Sequence, residues 1–426
     1  MSEEGVAARI NGIYPQDDQG RLMLRIKVPA GLLAVEQAEV VADLSERFAG
    51  GGVHLTVRGS IELHGLVVET LPEISRRLAA VGLTSRGACG GAVRGISCST
   101  TLSEDYPKAH ALARRLHRHF TGNPRFEGLP KKFKMAVEGG YGGSRHLIQD
   151  LAIVRVEGSE EGRALYDVWV AGGLGVEPQP AFLLEAQLPE DRLLPLIEGV
   201  LSLYRDHAAK GRRLKHLVKD WGEDKFRRCL AEVVAPEARL TLGDFYTPTT
   251  DATEVVTIPV FAGELAVATL RRLANLARRF SDGILLLTAN QDLALRVDAG
   301  ARNALYEALQ AENLTAPDPA APIFRLCPGS HACKKGLSPT RDIARQILAH
   351  LPTSSDGRIW ALSGCPNACS QPQLADVGIL TRRAVRTAEG RRSPRFDVLR
   401  LEGEAFGTPI ARDLDIEGLL TLLAQL

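Results

Sequence analysis

The chain has 426 residues, and its 52 Lys plus Arg almost balance 51 Asp plus Glu, leaving a net charge of +1. That length holds two to three domain equivalents around a large core, and the balanced charge excludes a global field aimed at nucleic acid or an anionic membrane. Any affinity for anions must therefore be local. No apolar run is long enough to span a bilayer, and the opening Met-Ser-Glu-Glu-Gly-Val lacks the basic and apolar regions of a secretion signal. The expectation is a cytoplasmic protein with no membrane or nucleic-acid partner.

From Arg21 to Pro29 the sequence alternates apolar and polar residues as a half-buried strand does. A helix is predicted from about Ala34 to Phe48, with Val35, Ala38, Val41, Ala42 and Leu44 on its apolar side, and the run Gly50-Gly51-Gly52 ends it. Strands at 53–57 and 61–65 follow, then a helix over 71–80. The unit returns further along the chain. Gly31-Leu-Leu-Ala-Val aligns with Gly263-Glu-Leu-Ala-Val, Arg47-Phe48 with Arg279-Phe280 and Leu55-Thr56 with Leu287-Thr288, all at an ungapped offset of 232. An internal duplication accounts for this. The remaining segments repeat as well: Gly139 to Gly143 followed by Gln149-Asp150-Leu151 has the register of Cys365 to Cys369 followed by Ala375-Asp376-Val377.

The chain is thus predicted to be α+β, a duplicated a-b-a′-b′ arrangement of two ferredoxin-like half-domains (1–84 and 249–317) and two larger α+β units (85–248 and 318–426) about a pseudo-twofold axis. The half-domains are expected to build one sheet, and the larger units to meet around a shared cleft. Between them, residues 201–233 read as helical and basic. Lys210-Gly-Arg-Arg-Leu-Lys is expected to be a solvated face, the other reading being an arm that brings Lys or Arg to an acidic cofactor. The segment 381–395, with six arginines, reads as an exposed loop, the other reading being a docking site for an electron donor.

Four of the seven cysteines fall in two close pairs, Cys327 with Cys333 and Cys365 with Cys369, separated by 31 residues. Four thiolates on two short Gly/Pro-rich loops can enclose a soft metal centre. The gaps within the pairs are wider and less equal than in zinc ribbons, which favours a [4Fe-4S] cluster. Cys89, Cys98 and Cys229 are left over and expected to be free. His331 lies inside the first cysteine loop and is expected to face solvent or cap that loop. Asn367, inside the second, could orient its loop or approach a bound macrocycle.

With those cysteines in place, the sequence resembles the sirohaem and [4Fe-4S] nitrite/sulfite reductases over nearly its whole length. Cys327, Cys333, Cys365 and Cys369 match the cluster motif of that family, in which the last cysteine also bridges to the sirohaem iron. Leu129-Pro-Lys-Lys-Phe-Lys134 resembles the strand whose basic positions fall on Lys132 and Lys134. Leu55-Thr-Val-Arg58 and the stretch ending in Arg94 match the segments carrying two substrate-binding arginines. The resemblance implies sirohaem and a [4Fe-4S] cluster as cofactors, Arg58, Arg94, Cys369 and Asn367 beside the tetrapyrrole, and Arg58, Arg94, Lys132 and Lys134 as catalytic residues. The departures at Gly59-Ser60 and at Gly95 to Ser99 bear on the choice of substrate more than on the cofactor.

Elementary electrostatics makes sense of the four cations. On a strand Lys132 and Lys134 share one face while Phe133 turns to the other. A cation about 4 Å from a small oxyanion is worth roughly 4 kcal/mol before desolvation. Lysine can also give up a proton, whereas arginine stays a fixed charge, so Lys132 and Lys134 suit proton delivery and Arg58 and Arg94 anion binding. Taken alone, a Lys-x-Lys is an exposed strand face. Its weight comes from accompanying the cysteine set.

The resemblance implies a six-electron reduction, first of sulfite to sulfide and second of nitrite to ammonia. Its electrons would come from a ferredoxin or a flavoprotein reductase. The alternatives are a precorrin-3B synthase-like oxidation of a tetrapyrrole, which has no use for two cations aimed at an oxyanion, and an electron carrier without turnover.

Overall fold

The computed structural model describes residues 8–99, 106–156, 164–240, 254–314, 318, 320–351, 357–386, 390, 392–403 and 406–426. The alternating stretch near the start forms the strand Leu22–Lys27, which pairs with Ser60–Leu66 and through it with Gly52–Leu55. The helix Val35–Phe48 buries Val35, Ala38, Val41, Ala42 and Leu44, the stripe that its 3.6-residue period sets out. The offset of 232 reproduces these elements one for one: Leu32–Ala34, Val35–Phe48 and Gly52–Leu55 return as Glu264–Ala266, Val267–Phe280 and Ile284–Leu287.

The two half-domains do not build one sheet. They form two, of five and four strands, which exchange a strand: Leu32–Ala34 pairs with Ile284–Leu287, and Glu264–Ala266 pairs with Gly52–Leu55. Each copy thereby seals an edge of the other, which a strand kept at home would leave open. The crossover is tight. Gly31 has φ +75°, and a Cβ there would lie 2.9 Å from the Leu287 carbonyl oxygen; its counterpart Gly263 has φ +67°, with the Leu55 oxygen 2.5 Å away. Both helices pack on each other over one shared core that runs from Leu24 and Val41 to Leu270 and Leu305.

The larger units also share one topology. The first has the strand order Phe182–Pro189, Leu165–Val170, Leu151–Val156, Met135–Glu138, Ser97–Cys98, and the second runs Thr408–Leu414, Arg392–Arg400, Val377–Arg386, Ile359–Ser363, Ile323–Leu326. In each, four strands run one way and one, Leu165–Val170 or Arg392–Arg400, runs against them. Each unit has its own core, and a small fifth patch of Ile148, Leu174, Ala368, Leu374 and Leu380 joins the two. In the second unit the carboxyl ends of the parallel strands Ile323–Leu326 and Ile359–Ser363 carry the two cysteine loops, whereas in the first Lys134 and Asp150 precede their strands.

Two expectations need correction. The arginine-rich segment 381–395 is not a loop: Arg382 and Arg383 lie in the strand Val377–Arg386, paired with Asp397 (3.2 Å) and Asp413 (2.6 Å) across the sheet, and 387–389 and 391 fall outside the described residues. The basic stretch after Lys210 opens the helix Leu214–Trp221 and is solvated only in part: Lys210 and Arg212 are exposed, but Arg213 and Lys215 are each only 3 % exposed. Among the described residues no helix is long and apolar enough to cross a membrane.

Gly263→Ala should lower the urea midpoint of the half-domain core by an amount equivalent to about 1–3 kcal/mol, since the side chain meets both positive φ and a backbone oxygen. Gly50→Ala is the control, with φ +71° but nothing within 4 Å. An equal cost in the two variants would mean that the crossover is looser than described.

Candidate functional site

Leu326 and Ser363 end neighbouring parallel strands, so the loops that follow them leave the sheet side by side. Cys327 follows the first strand directly, and a short helix, Gly329–Ala332, carries the chain to Cys333. The loops are bonded to each other: the Gly364 N–H donates to Cys327 Sγ (3.1 Å), the Leu337 N–H to the Gly364 carbonyl (2.7 Å) and the Thr340 hydroxyl to the Cys327 carbonyl (2.7 Å). A Cβ on Gly364 would lie 3.0 Å from Gly329 Cα, so nothing larger fits between the loops. In the second loop Ala368 and Gln371 hold φ of 52° and 62°, strain of a kind that collects at functional sites.

The four thiols lie within one another's electrostatic reach. Burial and then the charge on Cys369 push Cys327 well up, burial and the charges on Cys369 and Cys333 push Cys365 up to about 11, and burial with Cys369 behind it raises Cys333. Such a set ionises only around positive charge, and a metal centre supplies it. Among the described residues no three His, Cys, Asp or Glu side chains close on a single ion; four thiols on two adjoining loops are a donor set that suits a multi-iron cluster. Asn367 bonds to Cys365 through both its backbone and its side chain, which makes it an organiser of the loop. His331 turns away to Asp342 (3.0 Å) at the surface.

The cationic residues come together on the other copy. Lys132 and Lys134 lie just before the strand Met135–Glu138, and Phe133 between them is fully buried, 5.8 Å from the Tyr204 ring. Among the described residues neither ammonium has a hydrogen-bonding or ion-pair partner. Burial first, then Arg213 and Arg94, lowers Lys132 to about 8. Burial, then Arg58, Lys132 and Arg213, takes Lys134 well below the ordinary lysine value. Cys369 pulls the other way on both, so the lysines and the last cysteine share one field.

The arginines are held differently. Arg58 donates to Gln149 Oε1 (2.8 Å) and to the carbonyls of Gly95 (2.9 Å) and Met135 (3.0 Å), spanning the first half-domain and the larger unit. It lines a narrow crevice with Gly31, Cys98, Arg145 and Leu287. Arg94 donates to the Gly90 carbonyl (2.8 Å) and to that of Ala88. Backbone carbonyls fix both side chains without cancelling their charge.

Buried nitrogens are also left over. Arg94 Nε, Arg145 Nε and Arg325 Nε have no hydrogen-bond partner among the described residues. Orphaned buried donors are costly, and a carboxylate-rich tetrapyrrole is a group that would satisfy them.

Reasoning from sequence missed Asp150, Gln149 and Arg213. Asp150 is fully buried, accepts the Lys134 N–H (2.7 Å) and pairs with Arg213 (2.8 Å). Its register with Asp376 was visible in the repeat, but nothing local marks a carboxylate as buried. A Lys or Arg two residues from another on either side of Leu214 was the available sign that Arg213 and Lys215 share an inward face.

The comparisons with known proteins can be set beside this geometry. The nitrite and sulphite reductase 4Fe-4S domain matches residues 94–237, and the nitrite/sulfite reductase ferredoxin-like half domain matches 14–81 and 248–312. The chain is 32% identical to a ferredoxin–nitrite reductase of Synechococcus elongatus, over 85% of this chain and 76% of that one. It is also 32% identical to a sulfite reductase [ferredoxin] of Mycolicibacterium paratuberculosis, over 86% of this chain and 74% of that one. The solved structure of Mycobacterium tuberculosis NirA superposes with a TM-score of 0.85 at 25% identity, covering 100% of this chain and 87% of that one. Cysteine loops, converging cations, duplicated fold and relatives agree: the chain belongs to the sirohaem and [4Fe-4S] nitrite/sulfite reductase family.

Proposed function

We propose that this chain reduces a small oxyanion, sulfite to sulfide or nitrite to ammonia, with single electrons from a ferredoxin. The reading rests on Lys132 and Lys134, two unpartnered ammoniums beside the last cysteine of the cluster motif. Both curated relatives named above are ferredoxin-dependent reductases of such anions. The ring-oxidising alternative finds no favour among them.

Cys327, Cys333, Cys365 and Cys369 would hold the cluster, and Arg94, Arg145 and Arg325 would meet the carboxylates of the sirohaem. When bound, these groups supply the electrons and the metal site for the oxyanion's central atom. The chain's own residues then do the rest. Arg58 and Arg94, permanently charged and locked to carbonyls, attract and orient the oxyanion. Lys132 and Lys134 add charge while protonated and donate protons to the oxygens as their bonds break. A lysine held near 8 gives its proton far more readily than one at its ordinary value of 10.5. Lys132 and Lys134 are half-buried, and their lowered hold on the proton favours its passage to a bound anion.

Lys134→Met should cut sulfite- or nitrite-dependent turnover roughly 10²–10⁴-fold while the visible absorbance of tetrapyrrole and cluster stays as in the wild type. Undiminished turnover with both anions would sink the assignment. The sign of the pH effect follows from the depressed lysines: the charged, proton-donating form is present below about 8 for Lys132 and is lost above it. Turnover should therefore fall on an alkaline limb near that pH, well under the 10.5 of an ordinary lysine, as a kcat profile with a reduced viologen or ferredoxin will show. A plateau through that range would count against the lysines as donors.

A further inference from the structure

One buried charge pair has no part in the reaction as described so far. Asp150 grips Arg213 with both oxygens, Oδ1 to Nε at 3.1 Å and Oδ2 to Nη2 at 2.8 Å, and neither residue is more than 3 % exposed. The same Oδ2 accepts the backbone N–H of Lys134 at 2.7 Å. On its far side Arg213 donates to the carbonyls of Gly172 and Leu174, each at 3.3 Å. Leu174 packs in the patch that contains Ala368, the neighbour of Cys369. One guanidinium thus ties the lysine segment to the loop resting on the last cysteine's loop.

The duplication supplies a control within the chain. Asp376 occupies the place of Asp150 in the second large unit and accepts the N–H of Ile359 at the same 2.7 Å. It is exposed, and among the described residues no arginine chelates it. Holding the start of the strand therefore needs the carboxylate and not the guanidinium. The arginine is present only in the copy that carries the lysines.

We propose that Arg213, clamped by Asp150, is a positioning residue for oxyanion reduction, which frames Lys134 against the 172–175 loop and keeps a fixed positive charge beside Lys132 and Lys134. This rests on the reductase reading above. The charged groups facing Lys132 are Arg213, Arg94, Asp150 and Cys369, and those facing Lys134 are Arg58, Lys132, Arg213 and Cys369. Arg213 disfavours both charged lysines and Asp150 favours that of Lys132, so removing one or the other must move the titration of Lys132 in opposite directions.

Reductive methylation of the holoenzyme across pH, with Lys132 and Lys134 read by peptide mass spectrometry, reports their titration without turnover. In Arg213→Met the Lys132 labelling midpoint should rise by about one pH unit, in Asp150→Asn it should fall by a similar amount, and the alkaline limb of kcat should follow each. Asp376→Asn should move neither. Midpoints that stay at the wild-type value in Asp150→Asn, or that move the same way in both variants, overturn the proposal. Should Arg213→Met not fold, Arg213→Lys keeps the charge but loses the two-pronged grip: its midpoint should stay in place while kcat falls, and Asp150→Asn still decides the sign. Midpoints that move as stated in a chain that turns over neither anion would uphold the charge frame and remove the reductase reading. Turnover with unmoved midpoints would do the reverse.

Discussion

Gathering like charge in a place with little water is the constraint from which the rest of this structure follows. Two cations roughly 6 Å apart repel by about 3 kcal/mol at an effective dielectric near 20, and burial adds a desolvation cost to each. Pairing every cation with a carboxylate would remove the repulsion and with it the attraction for an oxyanion. The chain takes another course. Arg58 and Arg94 are bonded to backbone carbonyls of Gly95, Met135, Ala88 and Gly90, which are dipoles and leave the charge uncancelled. One carboxylate, Asp150, is spent on Arg213. Among the described residues the lysines themselves are left without partners.

That arrangement demands a rigid frame, because unpaired cations would otherwise drift apart. The exchanged strands supply it. Arg58 sits just beyond the strand Gly52–Leu55, which carries Glu264–Ala266 from the other half-domain on its edge, and Gly31 and Gly263 let the two crossovers pass at backbone contact. From this double sheet Arg58 reaches into the first large unit, where Gln149 takes its Nη1. Residues 149 and 150 therefore bind two of the site's arginines side by side. The pseudo-twofold relation matters here less as symmetry than as a way of placing two loop-bearing sheets on one stiff base.

Much of this was readable from the residues because it depends on period and repeat. The stripe of Val35, Ala38, Val41, Ala42 and Leu44, the offset of 232 and the paired cysteines are local or translational patterns, and the structure keeps each. What was not readable depends on which edge a strand joins and on what covers a charge. The exchange of Leu32–Ala34 is decided by backbone approach at Gly31, which no side-chain pattern encodes. Arg213 and Lys215 look like a solvated face because their neighbours in sequence are basic; they are buried because the carbonyls of Gly172, Gly173 and Leu174, some forty residues earlier, fold over them. The arginines of 381–395 looked like a loop for a similar reason, since the carboxylates that hold them come from other strands.

The two copies of the large unit show how a duplicated scaffold divides a difficult task. Both keep a carboxylate that receives the N–H at the start of the middle parallel strand, Asp150 from Lys134 and Asp376 from Ile359. One copy places cysteines where the other has Gly139 to Gly143, and the other places lysines and a buried arginine where its twin has an apolar strand start at Ile359. Thiolates favour the protonated lysine and arginines disfavour it, and Lys132 and Lys134 feel both. Had cysteines and lysines risen from the same loops, each would have neutralised the other as a close ion pair. Set on opposite copies, they act on each other through space: Cys369 favours the proton on the lysines, and Arg58, Arg94 and Arg213 disfavour it. On the proposed reading, the separation that the duplication imposes is what leaves those protons available for transfer to an anion.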